Sequence, residues 1–410
     1  MPTKYRINIK PSPTITAVVT LISIISLIGI LSVGSGIQTR ASNVGNSFVV
    51  EFIQQIFSGF VLGGVLALIV YRIGIDQILK FRRLLIIVSI VTLLYLALPT
   101  LIRVLTGSTI EAAVSYFKWL PVRPVVKNGA VRWLQFFFIQ FQPVELVKIA
   151  VLVYFASYFQ EVKDKAFTWD TYKRPLYIFA LISLLISVQP DLGSIIIISL
   201  MVLTGLFLTK LNFSKLFWLL AIVMTFSSLA IAITPYRRDR FFNWVNNSQI
   251  NNSRNLETIN SDSNLQVKKI QQAVKNGNWF GVGYTKGSVK SVIPEVSSDG
   301  IFAVLVEEQG LVLAFVLIGL YLAIFVICIE NGSKRGVGKY STANQIIIIG
   351  IGSWIFYQAL WNIGGVTGLF PLKGLPLPFV SEGGTSVAVN FIAVGLLCCC
   401  LKEVDKEKQI

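Results

Sequence analysis

Long runs of apolar residues constrain this sequence more than any other feature, because each is long enough to cross a lipid bilayer as a helix. A hydrocarbon core about 30 Å thick needs about 20 helical residues. The runs predict an all-α polytopic integral membrane protein with about ten transmembrane helices. They are Thr14–Gly34, Phe48–Tyr71, Leu84–Ile102, Pro143–Phe159, Pro175–Gln189, Ser194–Lys210, Phe213–Thr234, Ile301–Cys328, Ala343–Gly365 and Thr385–Leu401.

The composition agrees with a membrane protein and narrows the chemistry. Only 14% of the residues are charged, whereas a soluble domain has about 25%. The chain has no histidine, which excludes a Ser-His-Asp triad, a histidine-ligated metal and a histidine general base. The four cysteines lie in apolar runs without metal or disulfide spacing. Acid-base chemistry must therefore use carboxylates, Lys, Tyr or Cys.

The distribution of the net charge of +16 predicts the topology. The short loops that would share a side with the N-terminus are richer in Lys and Arg, so the positive-inside rule places that side in the cytoplasm. An even number of spans puts both tails, 1–13 and 402–410, in the cytoplasm. The long loop 235–300, between helices 7 and 8, is then extracytoplasmic, and within it Leu265–Lys275 predicts a helix on the membrane surface. We expect one membrane domain over 1–410, and no nucleic-acid partner.

Charged residues at membrane edges are costly to place and are therefore candidate functional residues. Glu145 and Lys148 stand at i,i+3 on one helical face, with Arg132 upstream. They could form a site, or equally an ion pair that locks helix packing. Asp191 follows Pro190 between two apolar runs. It could cap the next helix or hold a cation.

Asp299 stands where the long outer loop enters a membrane helix. Glu295 precedes it, and Glu307 and Glu308 lie about two turns deeper. This grouping suggests proton-transfer chemistry. The alternative is a helix-capping aspartate with glutamates that neighbouring helices satisfy.

Residues 374–386 contain two prolines and a glycine pair that break the helical pattern at membrane depth. Such a break is tolerated only where the backbone is buried in protein or lines a wet cavity. The segment includes Ser381 and Glu382. We therefore expect it to form part of a site.

The chain contains six specific motifs, which are spread over nearly its whole length. They are NGAVRW from Asn128, QPVELVK from Gln142, QPDLGS from Gln189, PYRRDR from Pro235, PEVSSDGIFAVLVEEQG from Pro294 and NIGGVTGLFPLKGLPLPFVSEGGTS from Asn362. Through these motifs the chain resembles the SEDS (shape, elongation, division and sporulation) family, which includes FtsW, RodA and SpoVE. The first and fourth motifs resemble the FtsW branch more than RodA. At Ser297-Ser298-Asp299-Gly300 the family usually has His-Thr-Asp-Phe, and at Glu382 an aromatic or small residue.

The resemblance implies an inverting glycosyltransferase that polymerises lipid II into β-1,4 glycan strands at the outer membrane face and releases polyprenyl diphosphate. The role it favours is septal wall synthesis in cell division. Asp299 would be the general base. A divalent cation, Mg²⁺ or Mn²⁺, could assist with Asp191 or Glu295 as ligands. The substrate-binding candidates are Arg132, Glu145, Lys148, Arg237, Arg238, Arg240, Lys286, Glu295, Ser381 and Glu382.

Two other functions fit the same sequence. A flippase could use the broken helix and buried charges to move lipid II across the membrane, and a noncatalytic scaffold could organise cell-wall synthases. By resemblance, the expected partners are a class B penicillin-binding transpeptidase and other divisome proteins. The expected location is the plasma (inner) membrane, or a plastid membrane if a walled plastid encodes the chain.

Overall fold

Helices make up most of the structure, as the long apolar runs predict. The computed structural model describes residues 12–44, 47–127, 129–137, 139–162, 169–207, 262–292, 297–334, 340–371 and 374–407. Its first elements are α1 (Pro13–Val44), α2 (Phe48–Gln55), a π-helical segment (Ile56–Val61), α3 (Leu62–Ile73), α4 (Ile75–Lys80), α5 (Arg82–Thr106), α6 (Ile110–Ser115), β1 (Val122–Lys127), β2 (Ala130–Phe136) and β3 (Ile139–Phe141). They are followed by α7 (Pro143–Val162), α8 (Trp169–Val188), α9 (Leu192–Phe207), α10 (Asp262–Asn276), α11 (Val289–Val292), α12 (Ile301–Ser333), α13 (Ser341–Thr367) and α14 (Gly384–Glu407).

Eight helical stretches in the described residues are long and apolar enough to span a membrane. One of them is continuous from α2 through the π-helical segment to α3, and α9 is a shorter apolar helix. The predicted polytopic helical membrane protein is confirmed. The predicted span Phe213–Thr234 lies outside the described residues, so the number ten stays a prediction.

The bundle has a central set of helices and a peripheral one. α7, α13 and α14 bury most of their surface, whereas the continuous helix from α2 to α3 exposes most of its apolar side chains. Trp354 on α13 and Phe155 on α7 are almost completely buried. Helices that are apolar on all sides belong in the interior or in lipid, and both environments are used here.

A small antiparallel sheet, in the order β1-β2-β3, is the element that the all-α prediction lacked. It packs on α5 and α6 through a separate apolar cluster that includes Val131 and Leu134. The Tyr95 hydroxyl on α5 donates to the carbonyl of Val122 (2.6 Å). The sheet thereby fixes the position of Arg132 on β2.

The elements that carry the sequence motifs meet at one end of the bundle. There α7, α9, α12 and α14 begin, and α8 and α13 end. α1 reaches this end with its C-terminal half, so its first residue, Pro13, lies toward the other end. Glu407 lies there too, because it is the last residue of α14, which begins at the motif-bearing end. α14 continues through Lys402 to Glu407, so the predicted C-terminal tail is helical over these residues.

A helix is present where the sequence predicted one near the end of the loop 235–300, as α10. Its Ile270 and Ala273 are buried. They belong to the main apolar core rather than facing only lipid. α10 therefore packs on the bundle beside the motif-bearing end.

Candidate active site

The segment 374–383, between α13 and α14, crosses the bundle end without helical structure. Its Leu377 and Phe379 are almost fully buried. Unsatisfied backbone groups at this depth would cost several kcal/mol each. Side chains of α12 and α13 satisfy three of its carbonyls: Asn362 Nδ2 donates to Leu375 O (2.7 Å), Gln358 Nε2 to Pro376 O (2.7 Å) and the Tyr321 hydroxyl to Pro378 O (2.5 Å).

Asp299 lies in the short turn that leads into α12, directly against this segment. Asn362 Nδ2, which already binds Leu375, also donates to the carbonyl of Asp299 (3.0 Å). A Cβ atom on Gly374 would lie 3.1 Å from Asp299 Oδ2. The carboxylate therefore occupies the space that glycine leaves at position 374.

Ser381 and Glu382 hold the same turn from its other side. The Ser381 hydroxyl donates to Ser298 O (2.5 Å), and the backbone N–H of Glu382 donates to Ser297 O (2.9 Å). The structure thus brings Asp299, Ser381 and Glu382 together. Gly300 is the N-cap residue of α12, so Asp299 stands one residue before the cap position.

The ion pair predicted between Glu145 and Lys148 is present at 2.9 Å, and both side chains are 1% exposed. Lys148 Nζ also donates to Gln358 Oε1 (2.8 Å) and lies 4.4 Å from the centre of the Trp354 ring. The Ser386 hydroxyl donates to Glu145 Oε2 (3.3 Å). Because Gln358 also binds Pro376 O, the pair connects α7 to the segment 374–383.

Arg132 and Asp191 lie together at the turn between α8 and α9. The Arg132 guanidinium donates to the carbonyls of Gln189 (3.0 Å) and Pro190 (2.8 Å). Asp191 accepts from the backbone N–H (3.2 Å) and hydroxyl (2.7 Å) of Ser194, and from Gln142 Nε2 (3.3 Å). Asp191 therefore caps α9, as its position before an apolar run predicted.

Of the remaining candidate residues, the structure describes Lys286 alone. Lys286 lies in the turn after α10, where its backbone N–H donates to Gly283 O (3.1 Å). In the described part of the chain, no group of three or more Asp, Glu, Cys or His side chains could hold a metal ion. Arg237, Arg238, Arg240 and Glu295 lie outside the described residues.

Sequence reasoning missed the residues that connect these parts. Gln358 binds Lys148, Trp354 and Pro376, and Tyr321 binds Pro378. A glutamine in the middle of the apolar run Ala343–Gly365, far from Gln345 at its start, is a signal that could have marked Gln358, because an amide in a membrane helix requires a partner. The tyrosine gave no comparable signal.

The fold and this arrangement define a polytopic membrane protein whose motif-bearing end combines a carboxylate with a buried non-helical segment. The chain belongs to the FtsW/RodA/SpoVE family, described as cell cycle protein, whose model matches residues 13–406. The membership confirms the resemblance seen in the six motifs.

Three curated relatives carry the name probable peptidoglycan glycosyltransferase FtsW. That of Nitrosomonas europaea is 34% identical over 274 residues, covering 66% of this chain and 68% of the relative. That of Thiomonas intermedia is 33% identical over 290 residues (69% and 67%). That of Coxiella burnetii is 30% identical over 279 residues (68% and 72%). The names agree with the FtsW branch that the motifs favoured.

Two solved structures share the fold. One is a chain of the structure described as "Structural coordination of polymerization and crosslinking by a peptidoglycan synthase complex". It has a TM-score of 0.69 at 21% identity, covering 94% of this chain and 97% of that one. The rod shape determining protein RodA of Thermus thermophilus has a TM-score of 0.63 at 20% identity, covering 94% and 95%. At these identities the likeness establishes the architecture alone.

Proposed function

We propose that this chain is a peptidoglycan glycosyltransferase of the FtsW type, which polymerises lipid II into β-1,4 glycan strands for the septal wall. Family membership and the relatives' names support the activity. The observation that carries the assignment to residues is the position of Asp299. Its turn is held by Ser381, Glu382 and Asn362 at the end of the bundle where the non-helical segment lies.

The reaction requires a base for the acceptor hydroxyl, and Asp299 is the residue we assign to it. The hydroxyl oxygen attacks the anomeric carbon of the donor as its proton passes to the Asp299 carboxylate. The bond from that carbon to the diphosphate oxygen breaks, and polyprenyl diphosphate leaves with the electron pair. One displacement converts an α-linked donor into a β-linked product, which is the inversion that β-1,4 strands require.

The leaving diphosphate needs cations placed in advance, because negative charge develops on it in the transition state. We assign this role to Lys286 and to Arg237, Arg238 and Arg240 of the long outer loop. Arg132 and Lys148 act on the site in a different way. Arg132 binds the carbonyls of the α8–α9 turn, and Lys148 supports Pro376 through Gln358.

The membrane setting follows from the same proposal. We place the protein in the plasma (inner) membrane with both termini in the cytoplasm and the Asp299 end outside, or in a plastid membrane for a plastid-encoded chain. A class B penicillin-binding transpeptidase within the divisome is the partner we propose, because new strands must be crosslinked where they emerge. Mg²⁺ or Mn²⁺ would act at the diphosphate if a cation assists.

The test is glycan polymerisation by purified protein from labelled lipid II, with and without a cognate transpeptidase. Asp299→Asn and Asp299→Ala should lower the rate by about 100-fold or more, because a positioned base contributes about 10²–10⁴-fold. Asp76→Asn, an exposed aspartate on α4, is the matched control and should keep the wild-type rate.

Each of the other outcomes removes a specific part of the proposal. Equal product from wild type and the Asp299 variants would exclude Asp299 as the base. Scrambling of lipid II in liposomes without any glycan would favour the flippase. An inactive wild type whose Asp299 variants still support wall synthesis in cells would favour the scaffold.

A further inference from the structure

α12 is broken at Gly310, and residues 277–290, called here the inserted segment, fill the break. Gly310 has φ 86° and ψ 173°, a conformation that side-chain-bearing residues rarely adopt. A Cβ atom there would lie 2.5 Å from the backbone nitrogen of Gly281. The break therefore depends on glycine and on the close approach of the inserted segment.

The inserted segment satisfies the backbone groups that the break leaves without helical partners. The N–H groups of Val282 and Gly283 donate to the carbonyls of Glu307 (2.9 Å) and Glu308 (3.0 Å). In return, Asn278 O accepts from the N–H of Leu311 (2.9 Å), and Trp279 O from the N–H of Val312 (3.2 Å). The segment is thus an integral part of α12 rather than a loop that passes over it.

The side chains of Glu307 and Glu308 hold the second half of the inserted segment, and both are 2% exposed or less. Glu307 accepts from the Ser288 hydroxyl (2.7 Å) and the N–H of Val289 (3.0 Å). The contacts of Glu308 are more varied. It accepts from Lys290 Nζ (2.6 Å), the Ser35 hydroxyl (2.8 Å), Thr285 N (3.1 Å) and Gly287 N (3.3 Å).

The contact with Ser35 ties the cluster to α1 at the point where α1 also meets the turn before Asp299. Lys290 Nζ donates to the Ser35 hydroxyl (2.7 Å). The next residue of α1, Gly36, has no side chain, and a Cβ atom there would lie 3.3 Å from Ser297 Cβ and closer still to its hydroxyl. Ser35 therefore contacts Lys290 and the adjacent Gly36 contacts Ser297, and both partners lie shortly before Asp299 in the sequence.

From these contacts we infer that Glu308 is a positioning residue for polymerisation. It fixes the inserted segment, and through Lys290 and Ser35 it fixes where Ser297 and Asp299 stand relative to α1. Glu308 acts through other residues and does not touch the reacting atoms. The inference rests on the proposed glycosyltransferase function. A base displaced by about 1 Å can lose about 100-fold in rate. A buried carboxylate two turns away that holds the base in position should therefore have a measurable effect on the rate.

The experiment compares Glu308→Gln and Glu308→Leu with Glu330→Gln. Glu330 is an exposed glutamate on the same helix, so it controls for the loss of a carboxylate. We expect kcat for glycan synthesis to fall by about 10-fold in Glu308→Gln, which keeps one acceptor oxygen, and by about 100-fold in Glu308→Leu. KM for lipid II should stay within about twofold, because Lys286, the cation that we assign to the diphosphate in this segment, acts mainly on charge that develops in the transition state.

Amide hydrogen exchange provides a readout that does not depend on activity. The N–H groups of Thr285 and Gly287 bind Glu308, whereas the N–H of Val289 binds Glu307. In Glu308→Gln the first two should exchange faster, and the Val289 amide should stay close to wild type. Ser35→Ala is the milder variant that decides the matter if Glu308→Leu does not fold, with an expected fall in kcat of about threefold.

The result that supports the inference is a fall in kcat at nearly constant KM, accompanied by faster exchange at residues 285 and 287. Faster exchange with unchanged kcat, or a change in KM alone, would overturn it. A wild-type protein that makes glycan beside unaffected Glu308 and Ser35 variants would overturn this inference but leave the proposed function standing. A wild-type protein that makes no glycan would overturn both.

Discussion

Loss of the positive charge at Lys148 should destabilise the fold more than any surface substitution. Lys148→Met keeps the length of the side chain but removes the cation that pairs with Glu145 at 2.9 Å. The Glu145 carboxylate would then keep, among the bonds described above, only the Ser386 hydroxyl at 3.3 Å. Removing one partner of a buried ion pair costs about 3–5 kcal/mol, because the other charge stays buried without compensation.

The double variant Glu145→Leu/Lys148→Met separates the free-energy cost of burying an unpaired charge from the stabilisation that the ion pair itself contributes. It leaves no unpaired charge, and the Gln358 carbonyl oxygen that bound Lys148 still accepts from Trp354 Nε1 (2.7 Å). The lost hydrogen bonds should cost about 1–2 kcal/mol. Each single variant should therefore be less stable than the double variant, and the two positions should show strong coupling in a double-mutant cycle.

The assay is reversible unfolding of purified protein in mixed micelles at pH 7. Glu161→Gln is the matched control, because Glu161 pairs with Arg82 but is 59% exposed, and an exposed pair contributes less than about 1 kcal/mol. If Lys148→Met costs no more than Glu161→Gln, or if the single effects simply add in the double variant, the argument from the buried charge is wrong.

Two further substitutions test how the site is supported. Gly29→Ala on α1 would place a Cβ atom 2.6 Å from the Cα of Val380, so it should lower stability by about 1–3 kcal/mol and also slow polymerisation. The control is Gly64→Ala, which should be neutral or slightly stabilising, because nothing lies within 4 Å of its Cβ position. Asp191→Ala removes the cap of α9 and should cost about 1 kcal/mol without changing any dependence of the activity on Mg²⁺ or Mn²⁺; a loss of that dependence would instead make Asp191 a metal ligand.

The membrane spans and the local contacts of charged residues could be predicted because both depend on short stretches of sequence. A run of about 20 apolar residues requires only hydropathy, and an i,i+3 pair or an N-cap requires only helical geometry. Glu145, Lys148 and Asp191 all behave as those rules indicate. The hairpin of β1 and β2 had a comparable local signal in Asn128-Gly129, a pair typical of two-residue turns, but the all-α interpretation passed over it.

The remaining features depend on contacts between distant parts of the chain. The break of α12 at Gly310 exists because residues 278–283 satisfy its free backbone groups, and one glycine in an apolar run does not predict that. Ser35 contacts Glu308 across 273 positions of sequence. Hydropathy places both residues in helices but does not determine which helices are neighbours.

The distant contacts also change how the family motifs should be understood. In NIGGVTGLFPLKGLPLPFVSEGGTS, Asn362 and Ser381 bind backbone carbonyls, and Glu382 contributes its backbone N–H. These contacts hold a non-helical chain at membrane depth, where an unsatisfied carbonyl would cost several kcal/mol. Asp299 is placed by the same bonds. Substitutions in this motif should therefore reduce activity mainly by displacing Asp299, and their effects should not add to that of Asp299→Asn, because a base that is already absent cannot be displaced.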